Sequence, residues 1–202
     1  MKIKICGLTQ PLEAAYLNKQ QVDFAGMVLF FPKSRRNITI EQAKAVMEAL
    51  DSRIQTVAVV VSPAAEEIRA IEEAGFDYIQ IHGELTEELL AQIHIPVLKA
   101  FNVKDMGRYE FYHQCPQVAG YVFDACEPGS GQTFDWSLVK QIPKDEKLLL
   151  LAGGLNAHNV GEAIRYVKPD GVDVSSGVEY TDRQGKDPEK IGAFVEAVRF
   201  LS

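Results

Sequence analysis

The sequence repeats one pattern eight times: a short apolar run, a polar turn, and a segment whose apolar residues have helical spacing. The apolar runs lie at residues 3–6, 24–30, 56–61, 78–82, 97–101, 120–125, 148–153 and 171–176. The helical segments lie at residues 11–20, 40–50, 64–74, 86–93, 105–113, 135–141, 157–167 and 187–200. Near-continuous apolar strands that alternate with amphipathic helices are typical of a parallel sheet covered by helices. Eight such units predict an α/β fold, a single-domain (β/α)8 TIM barrel with parallel strands over residues 1–202.

The main alternative fold is a doubly wound open sheet. Its usual marker is a Gly-x-Gly-x-x-Gly turn after the first strand, whereas the first turn here, "CGLTQP", contains one glycine. Local signals also fit the barrel units: Thr39 and Thr86 are predicted to cap helix N-termini, and Gly75 to end a helix in the left-handed conformation. The weakest stretch is 102–119, where the fifth helix is short.

Charge and composition exclude several classes of function. A formal charge of -7 argues against a protein that binds nucleic-acid backbones, which needs a basic face. No apolar run approaches the roughly 20 residues of a membrane span, and the N-terminus lacks a signal-peptide pattern. The three cysteines, Cys6, Cys115 and Cys126, show no paired spacing. We therefore expect a cytoplasmic protein with free thiols.

In parallel barrels, the reactive groups lie where the strands end and the following loops begin. Cys6 ends the first strand, the basic loop "PKSRR" follows the second, His82 ends the fourth and Asp124 ends the sixth. From the residues alone, Asp124 is either a loop cap or a functional acid, and His82 either polarises a substrate or satisfies a loop. The other histidines, His94, His113 and His158, are expected at the surface.

Two small-residue turns, "AGGLN" after strand seven and "SSGVE" after strand eight, favour an anion site. Small residues let backbone N–H groups approach a phosphate, and this pair of turns is the usual phosphate site of such barrels. A zinc site built from Cys6, His82 and Cys126 lacks a close-spaced ligand pair, so no metal is expected.

The ordered motifs resemble those of the phosphoribosylanthranilate isomerases, a (β/α)8 family of tryptophan biosynthesis. The matching segments are "KICGLT", "FAGMVLFFPKSRRNI", "IQIHG", "VLKAF", "FDA" followed by "GSGQTFDW", "LAGGLNAHNV" and "GVDVSSGVE". The resemblance implies an Amadori rearrangement of N-(5-phosphoribosyl)anthranilate to the 1-deoxyribulose 5-phosphate. It implies Asp124 as the general acid that opens the ribose ring and Cys6 as the general base that removes the C2′ proton.

The resemblance also implies how the substrate is held. Arg36 would meet the anthranilate carboxylate, and Asp173 would lie near the sugar. His82 is a further substrate-binding candidate, on the ground of its position at a strand end. Residues matching the family's phosphate turns are Gly153, Gly154, Ser176 and Gly177. No metal or organic cofactor is implied. The expected partner is a small phosphosugar, without nucleic acid or membrane, and a monomer is preferred although the oligomeric state is open.

The sequence departs from the family pattern at two places. The loop after strand six is short, with Gln132 where a lysine is common, so the closure of a lid there would be altered. The turn after strand seven reads "AGGL" instead of Ser-Gly-Gly-Leu. Cys126 adds a thiol near Asp124 with no assigned role.

Two other functions compete with the isomerase. A relative of indole-3-glycerol-phosphate synthase would rely on lysine and glutamate pairs at strand ends and would have to use Lys99, so it is the weaker choice. A non-catalytic phosphosugar-binding domain would keep the anion turns without chemistry, but the presence of both Cys6 and Asp124 speaks against it.

Overall fold

Eight parallel strands close into a barrel in a computed structural model that describes residues 1–102, 106–124, 136–140, 142 and 145–200. Each barrel strand pairs with the next, and the first pairs with both the second and the last. The strands are β1 (Lys2–Cys6), β2 (Phe24–Leu29), β3 (Gln55–Val61), β4 (Tyr78–His82), β5 (Val97–Asn102), β6 (Val118–Asp124), β7 (Leu148–Leu151) and β8 (Gly171–Val174). The predicted (β/α)8 barrel is confirmed.

One helix follows each barrel strand. The helices are α1 (Leu12–Gln20), α2 (Ile40–Ala49), α3 (Ala65–Ala74), α4 (Glu87–Leu90), α5 (Tyr109–Gln114), α6 (Ser137–Lys140), α7 (Val160–Val167) and α8 (Pro188–Arg199). Three short elements add to the repeat: the two-residue strand Asn37–Ile38, which pairs with β2, the 3₁₀ turn Met106–Arg108 before α5, and the 3₁₀ turn Ser176–Val178 after β8. The fifth helix is short, as predicted, while α4 and α6 are single turns.

The predicted helix ends are confirmed. Thr39 accepts a hydrogen bond from the Gln42 amide, and the Gln42 side chain accepts one from the Thr39 amide, which completes a capping box. Thr86 accepts from the Leu89 amide at the start of α4. Gly75 ends α3 with φ at +86°, a conformation that glycine adopts without a Cβ penalty.

The strands separate two apolar cores. In β1, Ile3 and Ile5 point outward into the large core between the sheet and the helices. Cys6 points inward to a smaller cluster inside the barrel, formed with residues such as Val57, Leu98, Val122 and Leu150. Because side chains alternate along a strand, Lys4 shares the inward face with Cys6.

None of the described helices is long and apolar enough to cross a membrane.

Candidate active site

A cleft of about 1220 Å³ opens at the C-terminal ends of the strands and collects the predicted site residues. Those that line it are Cys6, Arg36, His82, Asp124, Gly153, Gly154, Asp173 and Ser176. Gly177 does not line the cleft, although it supports the turn that does. The rule that strand ends converge therefore predicted the location of almost every candidate.

The Arg36 side chain packs against the turn that follows Cys6. Gly7 has φ at +82°, and a Cβ there would collide with the Arg36 side chain. The hydroxyl of Ser175 donates a 2.9 Å hydrogen bond to the Cys6 carbonyl oxygen, which joins the end of β1 to the loop after β8. The turn thus brings Cys6 and Arg36 to the same part of the cleft.

Cys6 is buried among charged groups of the barrel interior. Burial raises the pKa of its thiol, and the negative charge of Asp173 raises it further, whereas the ammonium groups of Lys4 and Lys186 oppose the rise. Lys4 and Asp173 form an ion pair of 2.9 Å between Nζ and Oδ2. The other carboxylate oxygen of Asp173, Oδ1, is buried and has no hydrogen-bond partner among the described residues.

Arg36 is fixed by a carboxylate from the loop after β8. Its Nε donates to Glu179 Oε1 at 2.6 Å and its Nη2 to Oε2 at 3.1 Å, a bidentate pair. Glu179 also binds Arg35 and, at 3.0 Å, the buried Nζ of Lys186. Burial alone would raise the pKa of Glu179, but hydrogen bonds and charges from Arg36 and Lys186 lower it to about 2.

His82 is a neutral imidazole in the cleft. Burial, with the positive charges of Lys99 and Lys4, lowers its pKa to about 3. The amide nitrogen of Gln80 lies 2.8 Å from His82 Nε2. The side chains of Gln80 and His82 are therefore hydrogen-bonded to each other, and the tautomer of the imidazole sets which of them donates.

The two predicted phosphate turns pack directly on each other. Gly153 and Gly154 have φ values of +82° and +63°. The Gly154 carbonyl accepts a 2.9 Å hydrogen bond from Asn159 Nδ2 at the start of α7, which fixes the turn. A Cβ on Gly177 would overlap the Leu155 carbonyl oxygen, so glycine is required where the two turns meet.

Asp124 is the last residue of β6, half-buried, and in register with Asn102 of β5. The loop that follows, residues 125–135, lies outside the described residues. The expectations about Cys126, Gln132 and a short lid therefore fall on positions that the structure does not describe.

Three buried groups near the site were missed by the sequence analysis: Lys4, Glu179 and Lys186. The sequence did carry a signal for Lys4, because it stands two residues before Cys6 in a strand and so shares its face. Lys99 is buried as well, and its Nζ donates to the carbonyls of Ile81, Gly83 and Ala100.

One surface prediction is wrong in part. His94 and His158 are exposed, but His113 is half-buried because its Nδ1 lies 2.7 Å from Asp145 Oδ2 and its ring stacks on Tyr109. Within the described part of the chain, no cluster of three histidine, cysteine or carboxylate side chains is arranged to hold a metal ion.

Comparison with known proteins gives consistent matches. The family model of N-(5'-phosphoribosyl)anthranilate isomerase matches residues 3–197. The curated isomerase of Streptococcus gordonii is 43% identical, with 98% of this chain and 97% of the relative covered. The solved isomerases of Thermus thermophilus and Thermotoga maritima superpose with a TM-score of 0.87 each, at 31% and 34% identity, and both alignments cover 100% of each chain.

The closed barrel and the polar groups at its strand ends define the chain as a (β/α)8-barrel enzyme. With the family model covering almost the whole chain, the protein belongs to the N-(5'-phosphoribosyl)anthranilate isomerase family.

Proposed function

We propose that this chain catalyses the reaction for which its family is named, the Amadori rearrangement of N-(5'-phosphoribosyl)anthranilate to 1-(2-carboxyphenylamino)-1-deoxyribulose 5-phosphate. The observation that carries the proposal is that Cys6 and Asp124, from the ends of β1 and β6, line one cleft. A solved isomerase 34% identical to this chain binds reduced 1-(o-carboxyphenylamino)-1-deoxyribulose 5-phosphate, with a TM-score of 0.82. This compound is a close analogue of the proposed product.

The reaction needs an acid and a base on opposite sides of the sugar. In the proposed mechanism, the Asp124 carboxyl donates a proton to the ring oxygen, the C1′–O bond breaks, and the nitrogen lone pair forms a C1′=N Schiff base. The Cys6 thiolate then removes the C2′ proton, the C–H electron pair becomes the C1′=C2′ bond of an enolamine, and the π pair of the C1′=N bond returns to the nitrogen. Protonation at C1′ and loss of the hydroxyl proton at C2′ give the ketone.

The cleft offers a separate group for each end of the substrate. Arg36 suits the anthranilate carboxylate, because a guanidinium binds carboxylates in a planar geometry and Glu179 holds it in place. The turns at Gly153, Gly154, Ser176 and Gly177 suit the phosphate through their backbone N–H groups. A phosphate site built from neutral backbone N–H groups needs no positive side chain, so it is compatible with a net charge of -7.

The sugar would lie between these two ends. Asp173 Oδ1, buried and without a partner among the described residues, suits a sugar hydroxyl or the protonated amine of the Schiff base. Neutral His82 donates or accepts a hydrogen bond without adding a charge. A catalytic thiol must stay reduced, so the proposal includes a reducing compartment, the cytoplasm, and a small phosphosugar as the partner.

Substitution of the acid and the base tests the proposal. Cys6→Ala and Asp124→Asn should each reduce kcat by about 10²- to 10⁴-fold, the range for the loss of one general acid or base. Turnover is followed by the loss of substrate fluorescence, and binding of the reduced product analogue should persist. Cys115→Ala is the matched control, since Cys115 lies outside the cleft and its Sγ donates a hydrogen bond to the Phe111 carbonyl oxygen.

The outcomes separate the candidate functions. Full turnover in either variant would remove that residue from its proposed role. Tight binding of the product analogue by the unmodified chain without any turnover would favour the non-catalytic phosphosugar-binding domain instead.

A further inference from the structure

Lys4 is a fully buried charge directly below the proposed catalytic thiol. It has no solvent exposure, and it precedes Cys6 by two residues on the inward face of β1. In register, Lys4 lies opposite Asp173 of β8, and its Nζ contacts Asp173 Oδ2 at 2.9 Å. A lysine is almost never fully buried without a specific partner, so this placement asks for an explanation.

The neighbouring strand leaves room for Lys4 to approach the sulfur. Gly26 of β2 stands opposite Cys6, and a Cβ there would lie 2.9 Å from Cys6 Sγ and 3.1 Å from Lys4 Nζ. The thiol and the ammonium therefore border the same small space. A larger residue at position 26 would force one of them to move, whereas glycine lets both remain.

We propose that Lys4 is a positioning residue for the isomerisation: its ammonium group stabilises the thiolate of Cys6, and Asp173 anchors that ammonium beneath the sulfur. This inference deepens the proposed function and rests on the role of Cys6 as the base. It identifies the cation that stabilises the deprotonated form of the buried thiol, and only this thiolate can accept a proton from carbon.

The charges around Cys6 support this assignment. Burial raises the pKa of the thiol, Lys4 gives the largest opposing effect, and Lys186, in the loop after β8, gives a smaller one. Asp173 of β8 acts in the other direction, while β2 presents only Gly26 at this position. Burial would lower the pKa of Lys4, but Asp173 and Cys6 raise it above its ordinary value, so the ammonium stays charged.

Removing the cation should make the thiol a weaker acid. We compare the unmodified chain, Lys4→Met, and the double variant Lys4→Met with Asp173→Asn, which removes the ion pair without leaving a buried carboxylate uncompensated. The thiolate of Cys6 is titrated by its ultraviolet absorbance, as the difference between each protein and its Cys6→Ala counterpart. The pH profile of kcat is recorded for the same proteins.

Lys4→Met should hold about tenfold less thiolate at neutral pH than the unmodified chain. The alkaline shift of the titration should be smaller in the double variant, because the loss of Asp173 also removes a charge that raises the pKa of the thiol. In Lys4→Met the pH profile of kcat should move in the same direction, while KM changes less. If Lys4→Met does not fold, the double variant is compared with Asp173→Asn alone, so that the two proteins differ only at Lys4. A titration of Cys6 in Lys4→Met that matches the unmodified chain, or one in the double variant that matches Asp173→Asn, would overturn the proposal.

Lys99→Met is the matched control. Lys99 is also a buried strand lysine of the cleft, but its Nζ donates to backbone carbonyls of Ile81, Gly83 and Ala100. Lys99→Met should leave the titration of the Cys6 thiol unchanged. A titration shift as large as the one in Lys4→Met would show that the loss of any buried charge has this effect, and it would contradict the proposal. The titration does not require turnover, so it decides the role of Lys4 even if Cys6→Ala keeps isomerase activity and the proposed base is wrong.

Discussion

Single residues fix the distance between the two turns that we propose to hold the phosphate. Gly177 meets the Leu155 carbonyl so closely that a Cβ has no space, and a carbonyl of the backbone cannot move aside as a flexible side chain can. The turn after β8 can therefore lie this close to the turn after β7 because residue 177 has no side chain. Any larger residue at 177 must push this turn away from the turn after β7.

Gly177→Ala should accordingly raise KM by about tenfold, because a displaced turn loses roughly one good hydrogen bond to the phosphate. We expect a smaller effect on kcat, since the acid and base lie elsewhere in the cleft. Steady-state kinetics and the affinity for inorganic phosphate provide the measurement. Gly192→Ala in α8 is the control, because Gly192 does not line the cleft and a Cβ there meets the flexible end of the Gln20 side chain at 3.3 Å; equal KM values for the two variants would contradict the expectation.

Sequence-based prediction misses several individual buried residues of the site. The positions of Cys6, Arg36 and Asp124 in the cleft could be predicted because these residues stand at strand ends or in the loops that follow. Strand alternation places Lys4 on the face of Cys6, but the burial of Lys4 and Lys186 could not be predicted, since a lysine within a short strand or a polar loop is usually exposed and only the closed barrel buries these two. Glu179 belongs to a predicted phosphate turn, yet its role depends on Arg36, which is 143 residues away.

At the scale of elements, helix ends could be predicted because their signals are local. The capping box of α2 is complete within four residues, and Thr86 and Gly75 follow equally short patterns. The single-turn helices α4 and α6 were harder, because a helix of four residues has little periodicity and its length is decided by packing against the barrel.

The capping box gives a test of stability that is separate from catalysis. Thr39→Ala removes the acceptor for the Gln42 amide and should lower the free energy of unfolding by about 1 kcal/mol. Urea unfolding measures this loss. Thr39→Ser keeps the hydroxyl and serves as the control. Because Thr39 does not line the cleft, kcat and KM should stay unchanged. A kinetic defect in a stably folded Thr39→Ala would contradict the expectation that the capping box affects stability and not catalysis.

For the whole molecule, the barrel closes where its first and last units meet. The eight-fold pattern predicted this closure, but not the polar groups that stabilise it. Glu179 joins Arg36 from the loop after β2 to Lys186, and the Lys186 amide donates a 2.6 Å hydrogen bond to Glu13 of α1. One buried carboxylate thus ties the loop after β8 to the loop after β2, next to the pairing of β1 with β8.

This network predicts a specific loss of stability in acid. The pKa of Glu179 falls from 4.5 to about 2 on folding, so its ionised form favours the folded state at neutral pH. The stabilisation is complete above pH 4.5 and disappears as the pH falls through about 2, because both states are then protonated. A shift of this size corresponds to roughly 3 kcal/mol.

Glu179→Gln should therefore be less stable than the unmodified chain at neutral pH, and the gap should narrow by roughly 3 kcal/mol as the pH falls through this range. Urea unfolding of both proteins at a series of pH values measures the gap. Glu196→Gln, at an exposed position of α8, is the control for the loss of a carboxylate with no such partners. A gap between Glu179→Gln and the unmodified chain that stays constant with pH would mean that Glu179 does not couple protonation to closure of the barrel.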